Sequence, residues 1–545
     1  MTMILKYLSS SSLQDEIGSE VLARLETLLP AISTEIDITD IYKKDTLIKI
    51  LESFSNDSLL KNKLFFSDLV NSIPEGQLQE LSEDLGLPFN SFGDVAEKLI
   101  SKGWRDVDYC RLFCESTGLS PKFVPSSSTP LVHEEYISAS AIPYKRLKYY
   151  QTTVFEKAKS SAAKQLSRFV IQMPTGSGKT RTAMELVAEI LNVNPGRCVV
   201  WLAHSGELCE QAIECFKHVW LHVGQNNVRI YRCWGNSPGL PFDDSETTFL
   251  VCGFQKLHNL LQKDEMAFKS MRRRIELIVV DEAHKVIAPT FDAVTKALIG
   301  NATKVVGLTA TPGRSIVDES ANRKLSKFFF EDKISIEVPG GGNVIEYLRD
   351  QEVLASVIRE PLLSNRTYEL TAKQKSDLEK SFDFPPGFLS TLSDDDFRNL
   401  EIVRKLLAES RSGKKILFFA CSVEHSKFIC ALLTYFQIDA KHIDGSTSKG
   451  EREATLAEFK DGEVEVVCNF GVLTTGFDAP KIDVVFIARP TNSIVLYSQM
   501  IGRGLRGHAI GGTANCKVIQ VVDNIVGMPT EFRIFDYFNE YWVNK

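Results

Sequence analysis

The segment 173–180, MPTGSGKT, has the residue types and spacing of a phosphate-binding loop. It follows the apolar run 169–171 and precedes a helical pattern, so a glycine-rich turn would join a strand to a helix N-terminus. Backbone N–H groups and the helix dipole converge on an anion at such a turn. We expect Lys179 to contact the β- and γ-phosphates and the Thr180 hydroxyl to ligate Mg²⁺. The predicted nucleotide-binding residues of this loop are Thr175, Gly176, Ser177, Gly178, Lys179 and Thr180.

Two adjacent carboxylates form a second candidate site about 100 residues further on, a separation typical of successive structural units. The apolar run 277–280 leads directly into Asp281-Glu-Ala-His284. A buried strand that ends in Asp-Glu places both carboxylates at the carboxyl edge of a parallel sheet, where ligands of such folds bind. Asp281 can hold Mg²⁺ through water, and Glu282 can orient and deprotonate an attacking water. Together with the phosphate loop, this pair predicts hydrolysis of the bound nucleotide.

Two arginines near the end of the chain complete the predicted chemistry. The segment 499–506, QMIGRGLR, places Arg503 and Arg506 three residues apart, which on a helix means one face. Guanidinium groups projecting from a separate lobe stabilise phosphoryl transfer, and they are supplied only when the lobes close. Just upstream, the loop 471–480 offers hydroxyls to phosphates and Asp478 to a ribose. The predicted nucleotide-binding set therefore also contains Gly476, Asp478 and Gln499.

Composition sets limits on the class of protein. The chain has 545 residues, 43% of them hydrophobic, and a formal net charge of −7. We find neither an apolar run long enough to span a membrane nor a signal peptide. Eleven cysteines without metal-binding spacing indicate packing in a reducing, cytoplasmic location. Residues 1–140 carry 12 Lys and Arg against 22 Asp and Glu, so this acidic part suits a protein partner better than a nucleic-acid backbone.

The elements that position these residues follow from hydrophobic periodicity. Residues 1 to about 124 have helical spacing throughout, and a Pro- and Ser-rich linker follows at 125–130. Apolar strands then alternate with helices in two series that a glycine-rich break at 338–343 separates. Between this break and the second series we expect a helical stretch at about 345–410. The predicted strands are 169–172, 198–202, 249–252, 277–280, 305–308, 416–420, 464–468, 484–488 and 518–522.

These segments, in this order, resemble superfamily 2 helicases and translocases of the DEAH-box type. The resemblance covers roughly residues 145–525, and Asp281-Glu-Ala-His284 matches the signature quartet. It is strongest to the bacterial group of RadD-like proteins and restriction-enzyme motor subunits. It implies an α/β fold with two tandem RecA-like, doubly wound parallel-sheet lobes at 136–340 and 341–545, preceded by an all-helical domain at 1–135. It also explains Met173, since the phosphate loop of this superfamily does not require the first glycine.

The resemblance assigns further residues. Gln151 is similar to the adenine-reading glutamine of the family, although Tyr149 stands where the family usually has a proline. Four loops resemble blocks that contact the backbone of one nucleic-acid strand in relatives, without reading bases. They are residues 203–208, 253–257, 421–426 and 444–446.

The resemblance implies an ATP-dependent helicase or translocase that uses ATP and Mg²⁺, and we favour DNA as its track, in bacterial genome defence or repair. Three alternatives remain open. The protein could be an RNA helicase, or an ATP-gated motor or sensor subunit of a multi-protein antiviral defence system in which residues 1–135 dock a protein partner. It could also be a non-catalytic nucleic-acid binder on a degenerate scaffold, but Lys179, Asp281, Glu282, Arg503 and Arg506 are all present, which argues against that.

Overall fold

A computed structural model describes most of the chain. The described residues are 4–33, 37–125, 132–138, 145–240, 246–263, 265–286, 289–310, 319–381, 383–473, 481–491, 493–526 and 543–544. Among them, none of the helices combines the length and apolar character that a membrane span requires. The eleven cysteines are free thiols, ten of them buried.

The N-terminal part is helical, as its periodicity predicts. Side chains cap several of these helices: Ser9 accepts a hydrogen bond from Ser12 N, and Ser91 accepts one from Asp94 N. The helices are α1 (Ser10–Ile17), α2 (Ser19–Ile32), α3 (Lys44–Phe54), α4 (Asp57–Lys61), α5 (Lys63–Asn71), α6 (Glu75–Asp84), α7 (Phe92–Lys102) and α8 (Val107–Thr117).

The first α/β lobe contains a nine-stranded sheet in the order β1-β4-β5-β3-β6-β7-β2-β8-β15. Its pairings are parallel except that of β1 with β4. The strands are β1 (Glu134–Ile137), β2 (Arg168–Gln172), β3 (Cys198–Ala203), β4 (Val228–Cys233), β5 (Thr248–Gly253), β6 (Ile275–Asp281), β7 (Lys304–Thr309), β8 (Asp332–Ser335) and, from the end of the chain, β15 (Val543–Asn544). The helices are α9 (Tyr149–Ala162), α10 (Lys179–Val193), α11 (Gly206–Val223), α12 (Phe254–Leu261), α13 (Glu265–Arg272), α14 (Pro289–Leu298), α15 (Glu319–Phe328) and α16 (Val344–Asp350).

The second lobe contains a six-stranded parallel sheet in the order β11-β12-β10-β13-β14-β9. Its strands are β9 (Ser356–Tyr368), β10 (Ile416–Phe419), β11 (Ala440–Ile443), β12 (Val466–Asn469), β13 (Val484–Ile487) and β14 (Asn515–Ile525). Its helices are α17 (Ala372–Ser381), α18 (Pro386–Ser393), α19 (Asp396–Ser410), α20 (Val423–Tyr435), α21 (Lys449–Asp461) and α22 (Ile494–Gly502).

Both sheets are buried on two faces, as apolar runs without alternation predict. In β2, Phe169 and Ile171 face one hydrophobic core while Val170 faces another on the opposite side of the sheet. In β10, Phe418 and Leu417 divide in the same way between two cores. The predicted fold, two doubly wound α/β lobes preceded by a helical domain, is confirmed.

The helical domain packs on the second lobe, although the first lobe follows it in sequence. One continuous core contains Leu25 and Leu51 of the helical domain together with Phe428 and Leu432 of α20. Arg24 stacks over the Phe428 ring at 4.1 Å from its centroid and donates to Asp396 Oδ1 and to Ser393 O. The helical domain and the second lobe therefore form one packed unit.

The predicted strands are all present, but the helical stretch predicted at 345–410 is wrong in part. Residues 356–368 form β9, the edge strand that pairs with β14. Edge strands tolerate proline because one side makes no ladder hydrogen bonds, and β9 contains Pro361. Strand β4 was also missed, because its sequence contains Arg229 and Arg232. Both arginines are buried, and they form ion pairs with Glu134, Glu246, Glu135 and Glu210.

Candidate nucleotide site and nucleic-acid contact loops

The predicted phosphate loop connects β2 to α10, and α10 begins at Lys179. Gly176 and Gly178 have φ angles of 86° and 85°, in the left-handed region that favours glycine. Both the amide and the hydroxyl of Ser177 donate to Pro174 O, at 3.1 and 2.7 Å. The loop thus holds its own shape around the N-terminus of α10, where the first N–H groups have no acceptors within the helix.

Helix α9 supports this loop from the side. The Tyr150 hydroxyl and Gln151 Nε2 both donate to Ser177 O, at 2.8 and 3.2 Å, and Gln151 Oε1 accepts from Lys148 N at 2.9 Å. A Cβ on Gly178 would overlap Gln151 Nε2, so a side chain there would displace this amide in addition to straining φ. Gln151 therefore contacts the phosphate loop directly, and its role in reading adenine stays a prediction.

The acidic pair lies where β6 ends. Asp281 is the last residue of the strand, and Glu282 adopts φ 53° and ψ 58°, a left-handed conformation that non-glycine residues adopt at a cost. Glu282 N donates to Asp281 Oδ1 at 3.0 Å. Lys179 Nζ lies 4.0 Å from Glu282 Oε1, and His284 Nδ1 lies 3.4 Å from Glu282 Oε2. The strained backbone turns the Glu282 side chain toward the phosphate loop.

The two carboxylates differ in electrostatics. Burial raises the pKa of Asp281, and the positive charge of Lys179 only partly offsets this. Burial also acts to raise the pKa of Glu282, but the charge of Lys179, with smaller contributions from neighbouring basic groups, outweighs it and lowers that pKa. Burial lowers the pKa of His284 to about 4, so this imidazole is neutral at pH 7. Glu282 is therefore ionised and available as a proton acceptor.

The placement of the two arginines on one helical face is wrong. Helix α22 ends at Gly502, with Arg503 as its C-cap, and the Arg503 Nε donates to Gln499 O at 3.4 Å. Arg506 forms an antiparallel β-bridge with Leu354, in the segment that leads from the first lobe into the second. Hydrogen bonds from Ala355 N to Leu505 O and from Gly507 N to Val353 O, each 2.9 Å, flank this bridge. A short backbone ladder, rather than a helix, positions Arg506.

Even so, the structure brings the arginines to the phosphate loop. A Cβ on Gly502 would overlap Thr175, and a Cβ on Gly176 would lie 3.9 Å from Arg506 Cγ. Burial lowers the pKa of Arg503 to about 10, and attraction to Glu282 acts in the opposite direction, so Arg503 remains charged at pH 7. Lys179 and Glu282 of one lobe thus lie near Arg503 and Arg506 of the other. The predicted Gly476 and Asp478 lie outside the described residues.

The residues at this site fit a magnesium nucleotide. The backbone at Gly176 and Gly178 leaves room that side chains would fill, and the α10 N-terminus favours an anion. The Thr180 hydroxyl and the Asp281 carboxylate are oxygen ligands of the kind that Mg²⁺ prefers, and their small number leaves positions for phosphate oxygens and water. Bound there, Mg²⁺ would neutralise phosphate charge, and Glu282 would accept the proton of the attacking water.

The four predicted contact loops all follow strands at the carboxyl edges of the two sheets. Residues 203–208 and 253–257 follow β3 and β5, and residues 421–426 and 444–446 follow β10 and β11. The two lobes meet beside these loops through an ion pair between Glu207 of α11 and Arg452 of α21. Arg452 Nη2 also donates to Asp444 O at 3.4 Å. The loops at 203–208 and 444–446 thus lie close to each other across the two lobes.

Two segments of the chain match models of known protein families. Residues 144–314 match the family model of the type III restriction enzyme res subunit, and residues 398–508 match that of the helicase conserved C-terminal domain. The chain belongs to the superfamily 2 helicases. Within that superfamily it is related to restriction-enzyme motor subunits, and it is an enzyme of the ATP-dependent helicase type.

Three relatives illustrate the relationship. A 51.5 kDa protein of a Lactococcus phage is 28% identical to this superfamily 2 helicase over 69% of the chain and 71% of the relative. The IRC3 protein of Saccharomyces cerevisiae, named as an ATP-dependent helicase, is 26% identical over 70% of the chain and 53% of its own length. The EcoKI type I restriction endonuclease subunit of Escherichia coli is 24% identical over 69% of the chain and 34% of its own length. The chain therefore spans about half the length of IRC3 and about a third of the length of the EcoKI subunit.

Several contributors to the site were missed by sequence reasoning. The Tyr150 hydroxyl holds the phosphate loop, and Met173 N donates to Thr309 O at 3.2 Å, which ties the loop to β7. Gly502 packs on Thr175 across the cleft. The glycines on either side of Arg503 were the available signal for close approach, because a Cβ on Gly502 would overlap the Thr175 side chain and one on Gly504 would overlap Cys516 and Val485.

Proposed function

We propose that this superfamily 2 helicase hydrolyses ATP between its two lobes and uses lobe closure to move along a single strand of DNA. The observation that carries the proposal is the meeting of Lys179 and Glu282 with Arg503 and Arg506 across the cleft. Closure completes such a site and hydrolysis reopens it. Because the contact loops lie on both lobes, each cycle changes the distance between them.

The choice of DNA is supported by the likeness to restriction-enzyme subunits. The motor region carries 51 Lys and Arg against 48 Asp and Glu over residues 141–545, so its hold on a strand depends on N–H groups and hydroxyls. Those groups contact the backbone, which DNA and RNA share apart from the 2′-hydroxyl. RNA helicase activity is therefore the second candidate.

The test is ATP hydrolysis by the full chain, titrated with single-stranded DNA, duplex DNA and RNA of matched length at one stated salt concentration, because backbone affinity depends steeply on salt. We expect the largest stimulation with single-stranded DNA. Stimulation by RNA alone would replace DNA with RNA in the proposal, and no stimulation by any of the three would reject a nucleic-acid motor.

A role as the motor or sensor subunit of a bacterial defence system is a further proposal, with residues 1–135 as the docking domain. The second lobe covers one side of that domain, so a partner would have to bind elsewhere, for instance around the exposed Leu64 of α5. Deletion of residues 1–130 would uncover the shared core, so the better test is Leu64→Asp. We expect Leu64→Asp to weaken retention of proteins encoded beside this chain, whereas Leu166→Asp, at another exposed leucine on the first lobe, retains them. Equal retention by both variants would reject docking at Leu64.

The domain boundaries and the cytoplasmic location also remain proposals. Helix α16 lies beyond the boundary proposed at 340/341, and its Leu348 packs in the core of the first lobe together with Leu354. The hinge between the lobes would then lie close to residue 355.

A further inference from the structure

Trp234 lies between two of the predicted contact loops, those at 203–208 and 253–257. It follows β4, and its turn continues through Gly235, which has a φ of 56°. Lys256 of α12 fixes this turn by donating to Ser237 O at 2.5 Å and to Gly235 O at 3.3 Å. The position of the indole is thus set by β4 on one side and by α12 on the other.

Glycines allow Trp234 to approach both loops. A Cβ on Gly206, the first residue of α11, would lie 3.3 Å from both Cδ1 and Nε1 of the indole. A Cβ on Gly253, the N-cap of α12, would lie 3.0 Å from Trp234 Cβ. The pyrrole edge of the indole, which carries the N–H, therefore lies against the first turn of α11.

The indole N–H has no acceptor within the part of the chain that the structure describes, although Trp234 is only 8% exposed. The adjacent first turn of α11, an 18-residue helix, also presents backbone N–H groups that have no intrahelical acceptor. Glu207, in the same turn of α11, forms an ion pair with Arg452 of the second lobe, which offsets its charge. The indole N–H thus lies beside the first turn of α11, where Leu208 N donates to the Ser205 hydroxyl and the helix dipole favours an anion.

We propose that the Trp234 indole N–H and the first turn of α11 together bind one phosphate group of the nucleic-acid backbone. The proposal rests on the proposed function, since it requires a bound strand on this face. It adds to the loop at 203–208 a side-chain donor from outside that loop. Because the donor is neutral, Trp234 contributes hydrogen bonding to the phosphate without releasing a counterion.

The first test is fluorine NMR of the full chain labelled with 5-fluorotryptophan, with the Trp234 resonance assigned from Trp234→Phe. We expect single-stranded DNA to shift this resonance and to leave those of the buried Trp104, Trp201 and Trp220 in place. Fluorescence anisotropy of labelled DNA measures binding in the same samples. An unmoved Trp234 resonance in a sample that binds DNA would overturn the proposal, whereas absence of DNA binding would instead reject the proposed function.

The second test compares two matched substitutions. Trp234→Phe keeps an aromatic ring against both glycines but removes the donor, so we expect about tenfold weaker binding of single-stranded DNA at every salt concentration. The slope of affinity against salt should not change. Trp220→Phe removes an indole donor at the other end of α11, where it bonds Asn226 O at 3.1 Å, and should leave DNA affinity unchanged. Equal losses in the two variants would overturn the proposal, because they would indicate general loosening of α11.

A titration with inorganic phosphate distinguishes a site for the nucleic-acid backbone from a site that binds any anion. We expect phosphate alone, at the concentration of DNA phosphate used above, to leave the Trp234 resonance unshifted, because a strand is held by several loops at once. A shift that phosphate produces by itself and that DNA does not increase would overturn the assignment to nucleic acid.

Discussion

Lys179 Nζ lies 4.0 Å from Oε1 of Glu282, which joins the first turn of α10 to the residue after β6. Each group is the other's nearest opposite charge in the site, and both side chains are largely buried, at 13% and 14% exposure. The contact stabilises the ionised carboxylate that water activation needs. A nucleotide phosphate would compete with Glu282 for the lysine, and so would release the carboxylate toward water.

This contact predicts that substitution of Lys179 impairs ATP binding, whereas substitution of Glu282 impairs ATP hydrolysis. Lys179→Ala should weaken ATP binding about 10- to 100-fold, because a charge-assisted phosphate contact is lost. Glu282→Gln should bind ATP but hydrolyse it about 10²- to 10⁴-fold more slowly, because it removes the base. Titration calorimetry and steady-state hydrolysis measure the two effects separately. Lys296→Ala, on the exposed face of α14, is the control. Full hydrolysis by Glu282→Gln would contradict the assigned role.

The second lobe should contribute to catalysis without being needed for nucleotide binding. We expect Arg503→Ala to slow hydrolysis about 10²- to 10³-fold, the loss typical of one preorganised charge-stabilising group, while ATP still binds. Arg111→Ala, a surface arginine on α8 paired with Asp108, is the matched control. Equal rates for wild type and Arg503→Ala under saturating ATP would remove Arg503 from the site.

A pair of glycine substitutions separates backbone strain from loss of function. Gly178 and Gly462 have φ angles of 85° and 91°, so alanine at either position should cost about 1–3 kcal/mol of stability. Only at Gly178 would the new Cβ overlap Gln151 Nε2 and disturb the phosphate loop. Chemical denaturation should show similar losses, and ATP binding should fail in Gly178→Ala alone. Equal ATP affinity in the two variants would show that the contact with Gln151 is unimportant.

The helical domain should unfold together with the second lobe because they share one core. Arg24→Ala removes the hydrogen bonds to Asp396 and Ser393 and the stacking on Phe428, so we expect a loss of about 2 kcal/mol in the free energy of unfolding. Arg111→Ala, whose partner Asp108 is exposed on the same helix, should cost less than about 0.5 kcal/mol. A helical domain that unfolds in a transition separate from that of the second lobe would argue against the shared core.

A buried carboxylate in the second lobe predicts a pH dependence. Burial acts to raise the pKa of Glu409, but hydrogen bonds from three lysines outweigh this and lower it from 4.5 to about 2. The lysines are Lys405, Lys414 and Lys517. Because the folded-state pKa is depressed, the stabilisation is fully present above pH 4.5 and is lost as the pH falls toward 2.

We therefore expect Glu409→Gln to destabilise the protein on the order of 2–3 kcal/mol at pH 7, and the difference from wild type to shrink as the pH falls below 4.5. Denaturation curves at several pH values measure this difference. Glu401→Gln, on the exposed face of the same helix, should show no such trend. A difference that does not vary with pH would contradict the assigned pKa direction.

The sequence predicted those parts of the fold that local pattern determines. Buried parallel strands such as β2 and β6 consist of uninterrupted apolar residues, and the chemistry of the phosphate loop is contained in eight consecutive positions. Strand β4 was missed because Arg229 and Arg232 are compensated by glutamates distant in sequence. The packing of the helical domain on α20 depends on contacts between residues about 400 positions apart, which no local pattern encodes. Trp234 likewise acquires its neighbours only when β3, β4 and β5 assemble.

The central claim is that ATP hydrolysis is coupled to a bound nucleic-acid strand. Its most direct test is to measure the rate of ATP hydrolysis by the full chain as single-stranded DNA is added at one stated salt concentration. The account predicts a rate that rises with DNA and reaches a plateau, and no rise in Arg503→Ala, because the strand acts through closure of the second lobe on the first. A rate that is the same with and without DNA in the wild-type protein would contradict it.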